Sequence, residues 1–229
     1  MFCFMGQDGK GVESRLQNIR IKVDDGGMEV VRKWNVGILL FDEVEVLDFA
    51  GPFEVFSITT LQGRQDKLFC VHTLSETGEM IRARNGLTVK PTYSIANVPE
   101  LDILIVPGGY GAEEIEVHNK TLIDWIREQA SKVKLLASVC TGAFLLAKAG
   151  ILDGKKVTTH WMDIDRLARE YPKIDIQRGQ KYVDEGSIIT AAGITAGIDM
   201  SFHIIKKNFG AEIARTTAKR MEYDIVIPE

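Results

Sequence analysis

Leu135-Leu136-Ala137-Ser138-Val139-Cys140-Thr141-Gly142 is the stretch whose reading decides the fold. The strand reads from Lys134 to Val139, and after that lysine the run is apolar apart from one serine and shows no polar alternation, as expected of a strand buried on both faces. Thr141-Gly142-Ala143 then opens a short apolar helix that runs to Ala149 and is closed by Gly150. A strand that turns directly into a helix lifts Cys140 above the carboxyl edge of a parallel sheet, where open α/β sheets bind their ligands. A helix N-terminus there favours thiolate, so Cys140 reads as a reactive thiol rather than a packed core thiol.

Working outward, the same pattern repeats. Asn35 to Phe41, Leu68 to Leu74 and Leu101 to Val106 read as buried strands. Short strands are expected at 155–159, 174–177, 181–183 and 187–191, and a hairpin at 80–93 broken by Asn85-Gly86. Helical spacing covers 49–61, with Pro52 in its first turn, then 122–130, 163–171, 195–209 and 211–222. The expected fold is therefore a single-domain α/β sandwich of flavodoxin-like type, a mostly parallel sheet with helices on both faces, spanning 34–229. Residues 1–33 hold five of the 21 glycines and no sustained period. They read as a flexible or loosely docked extension, the alternative being an extra helix around Glu13 to Ile21 against a partner subunit.

A formal charge of −4 gives no basic footprint for nucleic acid or an anionic membrane. No apolar run is long enough to span a bilayer, and the N-terminus lacks the apolar core of a secretory signal. Cys3, Cys70 and Cys140 are odd in number and widely spaced, which argues against a disulfide framework or structural zinc and for a reducing, cytoplasmic setting. Cys70, inside Leu-Phe-Cys-Val-His, reads as a core thiol.

Gly108-Gly109-Tyr110-Gly111 ends a parallel strand at the edge that carries Cys140. Its backbone N–H groups suit an anion nest or half an oxyanion hole. No Gly-Lys-Ser/Thr follows, so a phosphate loop is not indicated. Asp48 has two open readings: a helix N-cap, or a partly desolvated carboxyl beside Cys140 with a raised pKa that can donate a proton. His160, in Thr-Thr-His-Trp, could serve Cys140 as a base but reads more simply as structural. His72, His118 and His203 show no partner pattern, and no cluster has metal-ligand spacing. Glu113, Glu114 and Glu116 read as a solvated helix start, and Lys206, Lys207, Arg215, Lys219 and Arg220 as exposed helix faces.

Five motifs occur in order: Leu-Asp-Phe-Ala-Gly-Pro (47–52), Pro-Gly-Gly-Tyr-Gly (107–111), Ser-Val-Cys-Thr-Gly (138–142), Thr-Thr-His-Trp (158–161) and Gly-Ile-Thr-Ala-Gly-Ile-Asp (193–199). Through them the chain resembles the ThiJ/PfpI superfamily, a branch of the class I glutamine amidotransferase-like fold. Within it, the chain is most similar to isonitrile hydratases and to the ligand domain of AraC-type regulators. The resemblance implies a nucleophile at Cys140, an acid at Asp48, a hydroxyl role for Thr141, and oxyanion donors from the Gly109 and Thr141 amides. It also implies a homodimer, a small-molecule substrate or ligand, and chemistry that needs no metal or organic cofactor.

Departures narrow that implication. Thr141 stands where peptidase-like members carry histidine, and no late His-x-Glu completes a glutaminase triad. Tyr110 is bulky for its loop and could narrow the pocket. No basic recognition helix follows the domain, so direct DNA binding is not expected. Two functions follow: a cysteine-dependent hydratase or hydrolase, or a ligand or redox sensor without a DNA-binding half.

Overall fold

The computed structural model describes residues 18, 21–23, 29–61 and 63–228. Its strands are β1 (Ile21–Val23), β2 (Glu29–Val31), β3 (Trp34–Leu39), β4 (Phe69–Ser75), β5 (Ile81–Arg82), β6 (Thr88–Val89), β7 (Tyr93–Ser94), β8 (Ile103–Val106), β9 (Leu135–Val139), β10 (Lys156–Val157), β11 (Asp175–Ile176), β12 (Tyr182–Asp184) and β13 (Ile188–Ala191). Its α-helices are α1 (Val46–Ile58), α2 (Lys120–Ala130), α3 (Gly142–Lys148), α4 (Ile164–Glu170), α5 (Ala196–Phe209) and α6 (Ala211–Arg220). Seven strands form the central sheet in the order β12-β13-β9-β8-β3-β4-β7. All pairs in it are parallel except β12 with β13.

The order explains where a ligand crevice forms. The chain crosses from β3 to β4 through α1 in one direction, and from β8 to β9 through α2 in the other. Right-handed crossovers therefore place α1 and α2 on opposite faces of the sheet. The direction reverses between β3 and β8, and the carboxyl ends of strands at such a reversal leave an open crevice. On the α1 face, Phe69 packs edge-on against Phe56 and Phe209 at 4.9 and 5.1 Å, and Trp34 meets Phe209 at 5.0 Å. Val36, Ile38, Ile103, Ile105, Ala137 and Val139 are fully buried, as the apolar runs require.

Several local expectations are corrected. Helix α1 starts three residues earlier than the apolar spacing suggested, because the Glu45 N–H is held by the Gly108 carbonyl at 2.9 Å. Glu45 is thus the N-cap, Asp48 lies inside the first turn, and Pro52 sits in the body of the helix. The 80–93 hairpin is real but short: β5 pairs with β6 across Asn85 and Gly86, both at positive φ. Tyr93 instead joins the central sheet beside β4. Phe69 takes the face covered by α1 and α5, so strand alternation turns Cys70 to the other face, where it is exposed rather than packed in the core. The described part of the N-terminal segment is paired structure, with β1 antiparallel to β2 and Asn18 Nδ2 donating to the Asn208 carbonyl at 3.0 Å. The alternative helix around 13–21 falls almost wholly outside the described residues.

Candidate active site

Cys140 follows β9 directly, with φ of +53°, a left-handed conformation that L-residues avoid. Its N–H donates to the carbonyls of Ala192 and Ala191 at 2.9 and 3.2 Å, and its carbonyl accepts from Thr159 Oγ1 at 2.7 Å. Those three anchors on the neighbouring β13 and β10 connections hold the turn in place. Ile194 is a second left-handed residue, with φ of +44°, unusual for a β-branched side chain. The N–H groups of Thr141 and Ile194 both point at the Cys140 sulfur. Strain is therefore concentrated on the two turns that frame one thiol.

Cys140 is only 7% exposed. Burial, followed by the field of Asp48, pushes its thiol up, against the pull of the two backbone N–H groups. This corrects the expectation from helix position alone. Helix α3 is a single short element of seven residues, and its dipole is outweighed by desolvation.

Asp48 is completely buried. Oδ2 accepts from the Gly108 N–H at 2.9 Å, Oδ1 has no hydrogen-bond partner, and the Cys140 thiol adjoins the carboxyl. Burial is the main cause that raises its pKa to about 8; the Gly108 N–H lowers it, nearby Glu45 raises it and the Cys140 side chain lowers it. At neutral pH the carboxyl holds its proton and can donate it. Its place inside the helix, not at the cap, leaves that oxygen free.

Thr141 is 2% exposed, and its hydroxyl is engaged with Gly109 in both directions. The Gly109 N–H donates to Thr141 Oγ1 at 2.9 Å. Neither glycine amide is therefore open as an oxyanion donor in this state: Gly108 holds Asp48 and Gly109 holds Thr141. The glycines are needed for the approach itself. A Cβ on Gly108 would lie 2.5 Å from the Thr141 nitrogen, and Gly109 has φ of +114°. Tyr110 is 49% exposed, so its ring is not buried in the crevice.

His160 is brought to the same edge. Its Nδ1 lies 3.3 Å from Asp163 Oδ2, and its ring fills the space beside Gly193 that a Cβ would occupy. Glu113, read from sequence as solvated, is partly buried on a π-helical turn (Gly111–Ile115), where Asp163 and Arg166 face it. Asp163 and Ile194 were not singled out by sequence, and Glu113 was read there only as part of a solvated helix start; only the offset His160-x-x-Asp163 could have suggested a partner. His72 and His203 are engaged with other partners. His72 lies 3.3 Å from Asn35 Oδ1, and His203 pairs with Asp184 at 2.7 Å, where Lys207 also binds at 2.7 Å. Among the described residues no group of His, Cys, Asp and Glu is arranged to hold a metal ion, and no helix is long and apolar enough to cross a membrane.

An isonitrile hydratase from Pseudomonas putida is 35% identical over 190 residues, covering 82% of this chain and 78% of that protein. The HTH-type transcriptional regulator GbdR of Pseudomonas aeruginosa is 29% identical over 191 residues, 83% of this chain but 51% of the regulator. This chain thus spans about half the length of that relative. A solved ThiJ/PfpI family protein from Pseudomonas syringae superposes with a TM-score of 0.76 at 24% identity, over 86% of this chain and 78% of the other, a likeness of fold. Residues 35–207, from β3 through most of α5, match the DJ-1/PfpI family, and with the sheet order and the five ordered motifs they establish that the chain belongs to it.

Proposed function

We propose that the protein is a cysteine-dependent hydratase that adds water to a small carbon electrophile of the isonitrile class. The observation that carries the reading is the orphaned oxygen of Asp48, a fully buried carboxyl atom beside the strained Cys140. An unpartnered buried polar atom costs about 1–3 kcal/mol, and one kept in a folded protein calls for an explanation such as a catalytic role. Similarity to an isonitrile hydratase supports the substrate class.

The chemistry balances without a cofactor. Sulfur attacks the terminal carbon of R–N≡C, the S–C bond forms, and the thiol proton is delivered to that carbon, giving a thioimidate, Cys140–S–CH=N–R. Water then adds to the same carbon, the S–C bond breaks, and HC(=O)–NH–R leaves with Cys140 again a thiol. Asp48 is the proton carrier, its pKa of about 8 suiting both donation and acceptance near neutrality. Thr141 positions the attacking water once its hydroxyl leaves Gly109, which frees the Gly109 N–H for developing charge. A homodimer belongs to the same proposal.

A second reading has its own observation. A thiol buried and pushed upward is less nucleophilic than a surface thiolate, which suits a non-catalytic ligand sensor better than a redox one, and the similarity to half the length of the transcriptional regulator GbdR supports that reading. Wild type and Cys140→Ser, incubated with a small isonitrile and assayed for formamide, separate the two. Product from wild type alone supports the hydratase. No product from either favours the sensor.

A further inference from the structure

In the proposed hydration the Thr141 hydroxyl leaves Gly109, and the freed Gly109 N–H must then stay aimed at the crevice. Two carbonyls decide that aim. The Gly108 carbonyl, in the same peptide unit as the Gly109 N–H, accepts from the Glu45 N–H at 2.9 Å. Because a peptide unit is planar, holding that carbonyl holds the direction of the N–H. The Gly109 carbonyl accepts from the Ala112 N–H at 3.0 Å and the Glu113 N–H at 3.4 Å, besides the Thr141 hydroxyl. Neither carbonyl depends on Thr141, so withdrawal of its hydroxyl strands the N–H alone.

Ala112 and Glu113 belong to the π-helical turn, a rare distortion that recurs at functional sites, so Gly109 is held only as firmly as that turn. On one side the Gly111 N–H donates to the Glu43 carbonyl at 3.1 Å. On the other side stands Arg166 of α4. Its Nη2 donates to the Glu113 carbonyl at 3.2 Å, Nη1 meets the Glu114 carboxylate at 2.5 Å, and Nε binds Glu170 at 2.9 Å. The guanidinium also lies 5.0 Å over the Phe144 ring, in the helix α3 that Thr141 opens. Glu114 and Glu170 are 41% and 39% exposed, so those ion pairs add little stability. What Arg166 supplies is geometry: it joins the turn that carries Gly109 to the helix that carries Thr141. A lysine ammonium, a single point charge on a flexible stem, cannot make the same forked set of bonds.

We propose that Arg166 is a positioning residue for the Gly109 donor. By clamping the π-helical turn against α3 and α4 it keeps the Gly109 carbonyl served, and the N–H directed at developing charge, when Thr141 turns away. The catalytic half of this role rests on the hydratase reading of Cys140.

The test uses the full chain, with tert-butyl isonitrile as the probe, in wild type, Arg166→Ala and Arg166→Lys. Amide hydrogen exchange reads Gly109 and Ala112 individually. Both amides are expected to exchange about tenfold faster in each variant, while those of β3 and β9 keep their wild-type rates. kcat is expected to fall about tenfold or more with KM within about twofold, the mark of an interaction made in the transition state. Wild-type exchange at both amides in a folded variant overturns the proposal, and so does an unchanged kcat. In wild type, a scalar coupling is expected across the hydrogen bond from the Ala112 nitrogen to the Gly109 carbonyl carbon. Its absence overturns the proposal even if both variants misfold. Should wild type make no formamide, the hydratase reading falls, while the exchange rates still decide whether Arg166 holds Gly109.

Discussion

The Gly109 N–H donates to the Thr141 hydroxyl at 2.9 Å, and that hydroxyl also lies 3.2 Å from the Gly109 carbonyl, to which it donates. Both partners are buried, so losing the hydroxyl strands an amide. Thr141→Val is expected to cost about 1–3 kcal/mol, read as a lower urea midpoint with the slope unchanged. Thr141→Ser should recover most of it. Equal midpoints for wild type and Thr141→Val would show that the reciprocal pair adds no stability.

Gly108 lies under the same turn. A Cβ there would meet the Thr141 nitrogen at 2.5 Å and Oγ1 at 2.7 Å, and the backbone cannot step aside. Gly108→Ala should therefore destabilise by about 2 kcal/mol or more and disturb Asp48, which takes its bond from the same residue. A variant with wild-type melting and wild-type Cys140 labelling would contradict this close approach.

Asp48 links stability to pH. Its carboxyl is raised from 3.8 to about 8 in the folded chain, so across that window unfolding releases a proton. Stability from this group is complete at low pH and declines as pH rises towards about 8, by several kcal/mol at most. Asp48→Asn keeps an oxygen for the Gly108 N–H and carries no proton to lose. Its advantage over wild type should grow from about pH 5 to about pH 8. Parallel stability curves in urea titrations would mean that Asp48 ionises normally.

At most positions glycine is less stable than alanine by about 0.5–1 kcal/mol. Cys140, at φ of +53°, should reverse that order, because glycine alone is unstrained there. Cys140→Gly is expected to melt at or above Cys140→Ala. The ordinary order would indicate that the turn relaxes out of the left-handed region once the sulfur is gone.

What the sequence made legible follows from how local each cause is. The runs at β3, β8 and β9 are apolar because both faces are covered, and their strands emerge within a residue or two of expectation. The start of α1 depends on Glu45 meeting Gly108, distant in sequence, so apolar spacing misplaced it. Asp48 and Cys140 meet because their strands lie on either side of β8, which alternation of strands and helices suggests but does not order. The use of the Gly109 N–H by Thr141 and the hold of Arg166 on the Glu113 carbonyl join segments distant in sequence, and no periodicity encodes them.

Cys70, exposed on β4, gives the molecule an internal clock. A small alkylating reagent reaches it by collision alone, whereas Cys140 reacts only when the crevice admits the reagent. At low conversion the ratio of the two labels in one digest is thus a ratio of two rate constants, independent of dose and time. At fixed pH it reports access to the crevice together with the ionisation of Cys140, and a compound that fills the crevice should lower that ratio while the Cys70 signal stands still.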